Sequence, residues 1–396
     1  MKYTLCHKDI PVIRFESYDG IIFKNPEILS EEHVMPCCFD RNGKFSMDDF
    51  KEWWLDRAVP LSRKNIRERL HFLNVLSNRS LIAKSMGLSL SDHYWMKTER
   101  QEDLSWHEVN FFENEFSGTV GDILFGNHPD APVSEKDWSS PDITLNGYLN
   151  KKWFIDEKGT RVMMKGCSSP QQQEPFNEVL GSLVCGRLGI EHVPYRIMNA
   201  NGDFYSACPC LTTKDVELVP AWSVIATRRK SNSASYFDHL LDCCRESGMK
   251  DTDKIRDGIG NMIAMDFIIS NVDRHYNNFG FLRNSGTLEW LGLAPVFDCD
   301  HSMFKENCMY DFKIMNPFSS KYTSAKPFAT RQYEQLKRIA CRCDLSRLNT
   351  EKLAGIEDDL YALLSENPRI EEEPRDILCS ILKSRVREFE RRVEKG

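Results

Sequence analysis

The chain has 396 residues, of which 41% are hydrophobic and 28% charged, with a formal net charge of -7. This composition is ordinary for a globular protein, and the length predicts two or three structural units. A pI near 5.9 argues against direct nucleic-acid binding, since such surfaces are usually basic. No apolar run approaches the ~20 residues of a membrane span, and the first residues lack an apolar signal core, so we expect a cytoplasmic protein.

Residues 1–135 are predicted to form an N-terminal accessory region of short strands followed by helices. Apolar and β-branched residues over 11–15 and 20–23 are typical of strands. Ser46 is expected to cap a helix, because it forms a capping-box-like pair with Asp49 ahead of an aromatic run.

A second helix of this region is predicted over 62–76. Its apolar face is formed by Ile66, Leu70, Leu73 and Leu76. Its opposite face carries Arg63, Lys64, Arg67 and Arg69. We interpret that basic face mainly as a solvated surface, with a docking surface for phosphate or an acidic partner as the alternative.

The pattern becomes β-rich in residues 136–212, which we predict to form a small lobe. Strands over 153–155 and 161–165 flank a turn signal that is typical of a hairpin. A helix follows, with Pro175 at its preferred first position and Gly189 at its end.

Residues 213–396 are predicted to form a large helical lobe. Its last helix places apolar residues at helical spacing between positions 377 and 393. Together, the three regions predict an α+β fold.

A polar loop follows an apolar helix at about residue 270. Polar groups between two buried elements are costly unless they are paired or functional. Asp273 could accept or orient the proton of an attacking hydroxyl, although a structural ion pair with Arg274 is an alternative. Asn278 lies five positions later, and its amide oxygen suits Mg²⁺. Protein kinases use the same D-x₄-N spacing in their catalytic loop.

A second carboxylate, Asp298, ends the apolar run before it and lies 25 residues after Asp273. That distance accommodates a strand from about Phe279, a turn and a returning strand. Such a hairpin would bring Asp298 beside Asn278, so we predict that both residues bind the metal ion.

Residues that would bind ATP precede this loop in the sequence. Lys165 ends a strand and Glu178 lies in the next helix, 13 residues on, which matches the lysine–glutamate pair that holds nucleotide phosphates in kinases. No Walker A pattern occurs. The candidate phosphate flap contains Asn146 and Gly147, and the expected hinge beside the nucleotide contains Cys210 and Leu211.

At these residues the sequence resembles the HipA-like family of bacterial serine/threonine kinases. The segment Asn271–Phe279 is similar to the family motif D-R-H-x-x-N-F, in which Asp273, Arg274 and His275 would be the catalytic residues. The resemblance extends to Phe297-Asp298, to Lys165 and to Asn177-Glu178. Residues 6–12 and 88–95 are similar to a Firmicutes branch of the family.

The resemblance implies an atypical two-lobed kinase fold related to the phosphatidylinositol kinases. It also implies ATP with Mg²⁺ as cofactors and a protein Ser or Thr as the acceptor, with Asp273 as the base. Well-known members are toxins restrained by a small DNA-binding partner, so a small antitoxin-type regulator is a candidate partner here. The glycine-poor flap departs from the family pattern.

Two other functions stay open at this point. One is a pseudokinase that serves as a binding module, and the other is a small-molecule or lipid kinase on the same fold. The segment 304–328 is expected to form the acceptor site and contains Lys313, Lys321 and Lys326.

Overall fold

The computed structural model describes residues 1–17, 22–40, 42–127, 132–305, 316–319 and 321–393. Its chain forms two compact units, each assembled from segments that lie apart in the sequence. The first contains residues 1–165, 209–229 and 282–291, and the second contains residues 166–208, 230–281 and 292–396. The three consecutive regions expected from the sequence stay a prediction. Among the described helices, none combines the length and apolar character that crossing a membrane requires.

Strands and helices are mixed along the chain, in agreement with an α+β fold. The strands are β1 Lys2–His7, β2 Ile10–Ser17, β3 Phe23–Ile28, β4 Tyr94–Thr98, β5 Lys151–Ile155, β6 Arg161–Lys165, β7 Arg196–Ala200, β8 Asp203–Pro209, β9 Val216–Pro220, β10 Gly280–Asn284 and β11 Trp290–Leu293. The helices are α1 Met47–Leu55, α2 Ile66–Phe72, α3 Asn78–Lys84, α4 Trp106–Val109, α5 Thr119–Phe125, α6 Glu174–Leu188, α7 Ala221–Ile225, α8 Tyr236–Glu246, α9 Thr252–Ile269, α10 Gln332–Ala340, α11 Ile356–Ser365 and α12 Glu372–Val393.

An antiparallel sheet begins the first unit, with its strands in the order β3-β2-β1-β4. Leu5 of β1 lies opposite Ile13 of β2 on one side and opposite Met96 of β4 on the other. All three side chains are buried, so one face of the sheet contributes to the core. The strand predicted over 11–15 is confirmed as part of β2, whereas half of the run 20–23 lies outside the described residues.

Two helix ends predicted from capping residues are confirmed, the start of α1 and the end of α6. The Ser46 hydroxyl accepts a hydrogen bond from the Asp49 backbone N–H at 3.2 Å and so caps α1. Helix α6 has Pro175 in its first turn and ends at Gly189, whose φ of 71° lies in the left-handed region that glycine adopts without steric cost.

The single helix predicted over 62–76 is wrong in its extent. Helix α2 ends at Phe72, and Asn74 adopts a φ of 52°. Asparagine tolerates this left-handed conformation, which turns the chain out of the helix. Leu76 is fully exposed as a result, whereas the other predicted apolar residues do contribute to the core. These are Ile66, Leu70 and Leu73.

The solvated basic face predicted for this segment is wrong for two of its four residues: Lys64 and Arg67 are exposed, whereas Arg63 and Arg69 are buried. Arg63 is 2% exposed and donates to the backbone oxygens of Leu145 at 2.7 Å and Gly147 at 3.2 Å. Arg69 is 7% exposed and donates to the side-chain oxygen of Asn150 at 3.0 Å. Their guanidinium groups satisfy oxygens of a nearby loop, which offsets the cost of burial.

Short hairpins complete both units. The hairpin predicted from the sequence is confirmed in the first unit, where β5 and β6 pair antiparallel. Their register places Lys151 opposite Lys165. Strands β7 and β8 form a similar hairpin in the second unit. Strands β10 and β11 lie where a hairpin was expected after the polar loop, while β9 was not anticipated in a region expected to be helical.

Long helices form the core of the second unit. Helix α12 packs against α9 and α11, and its buried residues follow the predicted helical spacing. The predicted apolar residues that are buried are Leu378, Ile381, Leu382, Val386 and Phe389. The buried helix α9 therefore provides a rigid support for the loop that follows it.

Candidate active site

Helix α9 ends directly before the polar loop that carries the predicted catalytic residues. Ser270 follows the helix with a left-handed φ of 55°, which turns the chain away from the helix axis. Asn271 then bonds back to Asp266, through its backbone N–H to the Asp266 carbonyl at 2.9 Å and through its amide to the carboxylate at 2.8 Å. The loop thus starts from a fixed and buried helix end.

A buried ion pair between Arg274 and Asp266 holds the loop. Arg274 Nε lies 2.9 Å from Asp266 Oδ2, and Nη2 lies 3.0 Å from Oδ1, the two-pronged geometry that makes such pairs strong. Burial lowers the pKa of the Arg274 guanidinium, but Asp266 and Cys299 outweigh that effect and hold the pKa well above its usual value. Arg274 is therefore charged and directed inward, where it positions the loop.

The same guanidinium joins two segments of the site. Arg274 Nη1 donates to the backbone oxygen of Asn278 at 2.7 Å and also to the backbone oxygen of Phe297. Its Nη2 lies 3.4 Å from Cys299 Sγ. Since Asp298 lies between Phe297 and Cys299, the structure brings the segments of both predicted metal ligands to one side chain.

Asp273 lies on the outer side of this loop, with its side chain 27% exposed. Its Oδ1 accepts a hydrogen bond from Lys326 Nζ at 2.8 Å, and its Oδ2 lies 3.7 Å from His275 Nε2. The alternative of an Asp273–Arg274 ion pair is not what the structure shows, because Arg274 pairs with Asp266. A carboxylate that a hydroxyl could reach is what general-base catalysis requires.

The imidazole of His275 has a pKa below its ordinary value. Burial lowers the pKa of the imidazole, and the nearby Asp273 and Asp298 carboxylates oppose this only in part. The backbone N–H of Asn277 points to Nδ1 at 3.2 Å, so Nδ1 accepts and the ring proton is on Nε2. The Nε2–H of His275 therefore faces Asp273 Oδ2, at a distance of 3.7 Å that is too long for a hydrogen bond.

Asn278 is 8% exposed, and its side chain is oriented by the loop itself. Its Nδ2 donates to the backbone oxygen of Asp273 at 2.9 Å. This contact leaves the amide oxygen as the end of the side chain that could bind a cation, as the sequence predicted for a Mg²⁺ ligand.

A cluster of carboxylates surrounds Asp298. One oxygen each of Glu178, Asp298 and Asp300 lies within 4.8 Å of the others. Like charges this close repel unless a cation or protons lie between them. Asp298 also adopts a left-handed φ of 63°, a strained conformation that often occurs at functional sites. Oxygen ligands in this number fit Mg²⁺.

Sequence reasoning missed part of this cluster. It considered Glu178 only as a partner of Lys165, a pairing that stays a prediction. It also did not single out Asp300, although the spacing Asp298-Cys299-Asp300 was a signal for a second carboxylate. In the structure, Glu178 Oε2 accepts a hydrogen bond from the Cys299 backbone N–H at 2.7 Å. Glu178 therefore fixes the chain directly after Asp298 and also adds its charge to the cluster.

Helix α6 holds the rest of this segment through side-chain amides. Asn177 Nδ2 donates to the backbone oxygens of Asp300 and Ser302, both at 2.8 Å. Gln173 Nε2 donates to the backbone oxygen of Met303 at 2.9 Å. The sequence singled out Asn177 only through the resemblance, since a buried amide on a helix gives no pattern of its own.

A second buried ion pair lies at the start of α6. Glu174 lies 3.3 Å from Lys305 Nζ and accepts hydrogen bonds from Ser168 and Ser169. Burial raises the pKa of the Glu174 carboxyl, but Lys305 and the two serines outweigh it and lower the pKa to about 2. The charged pair fixes the segment 298–305 at its far end.

The predicted ATP-binding residues other than Glu178 belong to the first unit. Lys165 is buried at the end of β6. Gly147 has a φ of 101°, its N–H donates to Asn146 Oδ1 at 2.6 Å, and its carbonyl oxygen accepts from the buried Arg63. The flap is therefore anchored from within its own unit. A joint site of these residues with Asp273 stays a prediction.

The expected hinge residues lie on a short segment of the same unit. The Cys210 backbone N–H donates to the Arg161 carbonyl at 2.8 Å, and Leu211 is half-buried. Cys210 also lines a pocket of about 240 Å³. The other residues of its lining are Phe112, Thr160, Arg161, Thr212, Thr213 and Lys214. The pocket is smaller than the roughly 300–1,000 Å³ of typical ligand sites, so we assign it no ligand.

The expected acceptor segment 304–328 is described only in part, because residues 306–315, which include Lys313, are outside the described residues. Of its lysines, Lys326 is brought to Asp273. Lys321 lies over the ring of Tyr322, 4.8 Å from its centroid.

No family model matches the chain. It is 25% identical over 134 residues to the serine/threonine-protein kinase CtkA of Helicobacter pylori, an alignment that covers 33% of this chain and 41% of that protein. The chain thus matches less than half the length of this curated relative. A crystal structure of CtkA aligns with 62% of this chain and 94% of its own, at 19% identity and a TM-score of 0.48.

The fold of the chain is shared with a solved structure of HipA. HipA of Shewanella oneidensis MR-1, in a complex with HipB and its operator DNA, aligns with 98% of this chain and 97% of its own. The TM-score is 0.56 and the identity 11%. The predicted fold class is therefore confirmed: the chain has an α+β fold of the two-lobed kinase type. At 11% identity, the alignment with HipA shows the fold alone.

Proposed function

We propose that the chain is an ATP- and Mg²⁺-dependent phosphotransferase, most simply a HipA-like protein serine/threonine kinase. One observation carries the proposal. The buried Arg274–Asp266 pair fixes a loop that exposes the Asp273 carboxylate and holds Asn278 next to the segment of Asp298. A structural loop would need the ion pair, but it would need neither an exposed carboxylate nor a carboxylate cluster beside it.

Asp273 is proposed as the base for the acceptor hydroxyl. The hydroxyl proton passes to an Asp273 oxygen as the hydroxyl oxygen bonds to the γ-phosphorus, and the bond from that phosphorus to the bridging oxygen of ADP breaks. Lys326 occupies one Asp273 oxygen in the structure, so an incoming hydroxyl would use the other oxygen or displace this exposed lysine. The Lys326 ammonium would then lie near the transferred phosphoryl group.

Asn278 and Asp298 are the proposed Mg²⁺ ligands, and Glu178 and Asp300 join them on the basis of the carboxylate cluster. A bound Mg²⁺ would neutralise charge on the phosphate oxygens. These residues contribute a preformed set of hard oxygen ligands, held by α6 and by Arg274. Arg274 and His275 are proposed to position Asp273 and its hydrogen bonds.

Nucleotide binding by Lys165, Asn146, Gly147, Cys210 and Leu211 is proposed by analogy with kinases. A toxin-like role with a small regulator is likewise a proposal, motivated by the HipB partner of the structurally similar HipA. Membership of a Firmicutes branch and a cytoplasmic location stay predictions of the sequence.

The test is phosphate transfer from γ-labelled ATP. Purified protein would be incubated with labelled ATP, Mg²⁺ and a lysate of its host, beside the Asp273→Asn variant. Label in a protein band or in the chain itself, lost in the variant, supports a protein kinase. Label in an organic-soluble or small-molecule fraction supports the lipid or metabolite alternative. Absence of any transfer, with ATP binding retained, supports the binding-module alternative and overturns the proposed activity.

A further inference from the structure

A second cluster of polar side chains is buried in the first unit, away from any residue used above. His7 ends β1, His93 directly precedes β4, and Glu217 lies in β9. Each is at most 1% exposed. One nitrogen or oxygen of each lies within 4.8 Å of the others. Three potential metal ligands from distant parts of the sequence therefore converge inside the core.

The distances suit a small metal ion. Glu217 Oε2 lies 3.0 Å from His7 Nε2 and 3.6 Å from His93 Nδ1. A tetrahedral zinc ion with bonds of about 2.0–2.1 Å separates its ligand atoms by roughly 3.3 Å. The two distances lie on either side of that value, so small side-chain shifts would complete the geometry.

His93 supplies the strongest sign that an ion is needed. Its Nε2 lies 2.9 Å from the Thr213 carbonyl oxygen, and because a carbonyl only accepts, Nε2 carries the proton. The other ring nitrogen, Nδ1, is buried and has no hydrogen-bond partner among the described residues. Nδ1 lies 3.6 Å from Glu217 Oε2, and two atoms with lone pairs at this distance repel each other unless a metal ion or a proton lies between them.

The surrounding residues match the outer shell of known metal sites. Metal-binding histidines usually engage their other ring nitrogen in a hydrogen bond. His7 Nδ1 lies 2.8 Å from His33 Nδ1, and His93 Nε2 reaches a carbonyl as described. Arg283 Nε donates to Glu217 Oε1 at 2.8 Å, which leaves Oε2 facing both imidazoles. Each candidate ligand thus has one atom fixed and one directed into the cluster.

We propose that His7, His93 and Glu217 form a binding site for a divalent transition metal ion, best suited to Zn²⁺. Imidazole nitrogens and a carboxylate are ligands that zinc binds readily. Three protein ligands leave one position of a tetrahedral ion for water. The ion would connect β1 and the start of β4 to β9 and so stabilise the first unit, independently of the phosphotransfer proposed above.

Metal uptake by the full chain tests this site. Protein stripped with a chelator would be reloaded with Zn²⁺ or Co²⁺, freed of excess metal and measured for metal per chain by elemental mass spectrometry. We expect about one ion per chain, and a Co²⁺ absorption spectrum typical of tetrahedral nitrogen and oxygen ligation. The His93→Gln and His7→Gln variants should lose this ion.

Two controls separate the site from other metal-binding groups. His107→Gln removes an imidazole whose side chain is 76% exposed, and Asp298→Asn alters the carboxylate cluster of the second unit; both should keep the ion. Anomalous scattering at the zinc edge from wild-type crystals locates the ion even where a variant does not fold. No uptake by the wild type, uptake retained in His93→Gln, or a scattering peak elsewhere would each overturn the proposal.

Discussion

Replacing Asp273 by Asn separates a catalytic role from a structural one, because it keeps the shape of the side chain and removes its charge. The contacts of Asp273 show how little stability depends on that charge. Its N–H and carbonyl contacts to Asn271 and Asn278 are made by the backbone and survive the substitution. Within the described residues, the carboxylate forms an ion pair with the partly exposed Lys326 and lies 3.7 Å from His275 Nε2.

The expected magnitudes differ widely between the two roles. An ion pair with side chains 27% and 56% exposed is of the surface type, which contributes about 0–1 kcal/mol. The melting temperature should therefore fall by no more than about 4 °C. If Asp273 is the base, the single-turnover rate should fall by roughly 10²–10⁴, which corresponds to about 2.7–5.4 kcal/mol in the barrier.

Melting temperature, nucleotide affinity and single-turnover phosphate transfer would be measured on one preparation. Asp242→Asn is a matched control, because that carboxylate also forms an exposed ion pair, with Arg245 at 2.7 Å, and lies on α8 outside the loop. The control should keep both stability and rate. A folded Asp273→Asn protein that transfers phosphate at the wild-type rate would remove Asp273 from the mechanism.

Three further outcomes follow from the same site. Arg274→Lys should lower the free energy of unfolding by about 2 kcal/mol or more, since it breaks a buried two-pronged pair; an unchanged denaturation midpoint would contradict this. Asp298→Ala should raise the Mg²⁺ concentration needed for transfer or abolish transfer in a folded protein, and rates that are unchanged in a Mg²⁺ titration would exclude its role as a ligand. The lowered pKa of Glu174, about 2 against 4.5, stabilises the fold above pH 4.5, and this contribution is lost as the pH falls towards 2. In the Glu174→Gln variant, the melting temperature should therefore depend less on pH between about 4.5 and 2. A variant whose melting temperature falls with pH as steeply as that of the wild type would contradict the lowered pKa of Glu174.

Local chemistry made several features predictable. The caps at Ser46 and Gly189 depend on residues that lie next to the helix ends, so the sequence carries the whole signal. The hairpin from β5 to β6 is similarly local, since its turn residues and flanking strands are contiguous. The loop of Asp273 and Asn278 was recognisable because polar residues at a fixed spacing followed a buried helix.

Features that depend on distant residues were not predictable in this way. Arg63 and Arg69 lie on what reads as a basic helix face, and nothing near them in the sequence reveals the carbonyl and amide oxygens that they bind when buried. Asp300 joins a cluster with Glu178 across more than 100 positions of the sequence. The convergence of His7 with Glu217 is likewise a product of the tertiary fold.

Arg274 shows that the motif around residue 273 specifies the position of the Asp273 carboxylate as well as its presence. A lysine at this position could carry the charge but could not reach Asp266 and two backbone oxygens together, because an ammonium lacks the planar fork of a guanidinium. The position of Asp273 depends on this guanidinium group. Arg274 binds Asp266, which precedes Asp273 in the sequence, and the backbone oxygen of Asn278, which follows it. Substitution of Arg274 should therefore lower stability and transfer rate together, whereas substitution of Asp273 should lower the rate alone. This difference would identify Arg274 as a positioning residue and its neighbour Asp273 as the catalytic one.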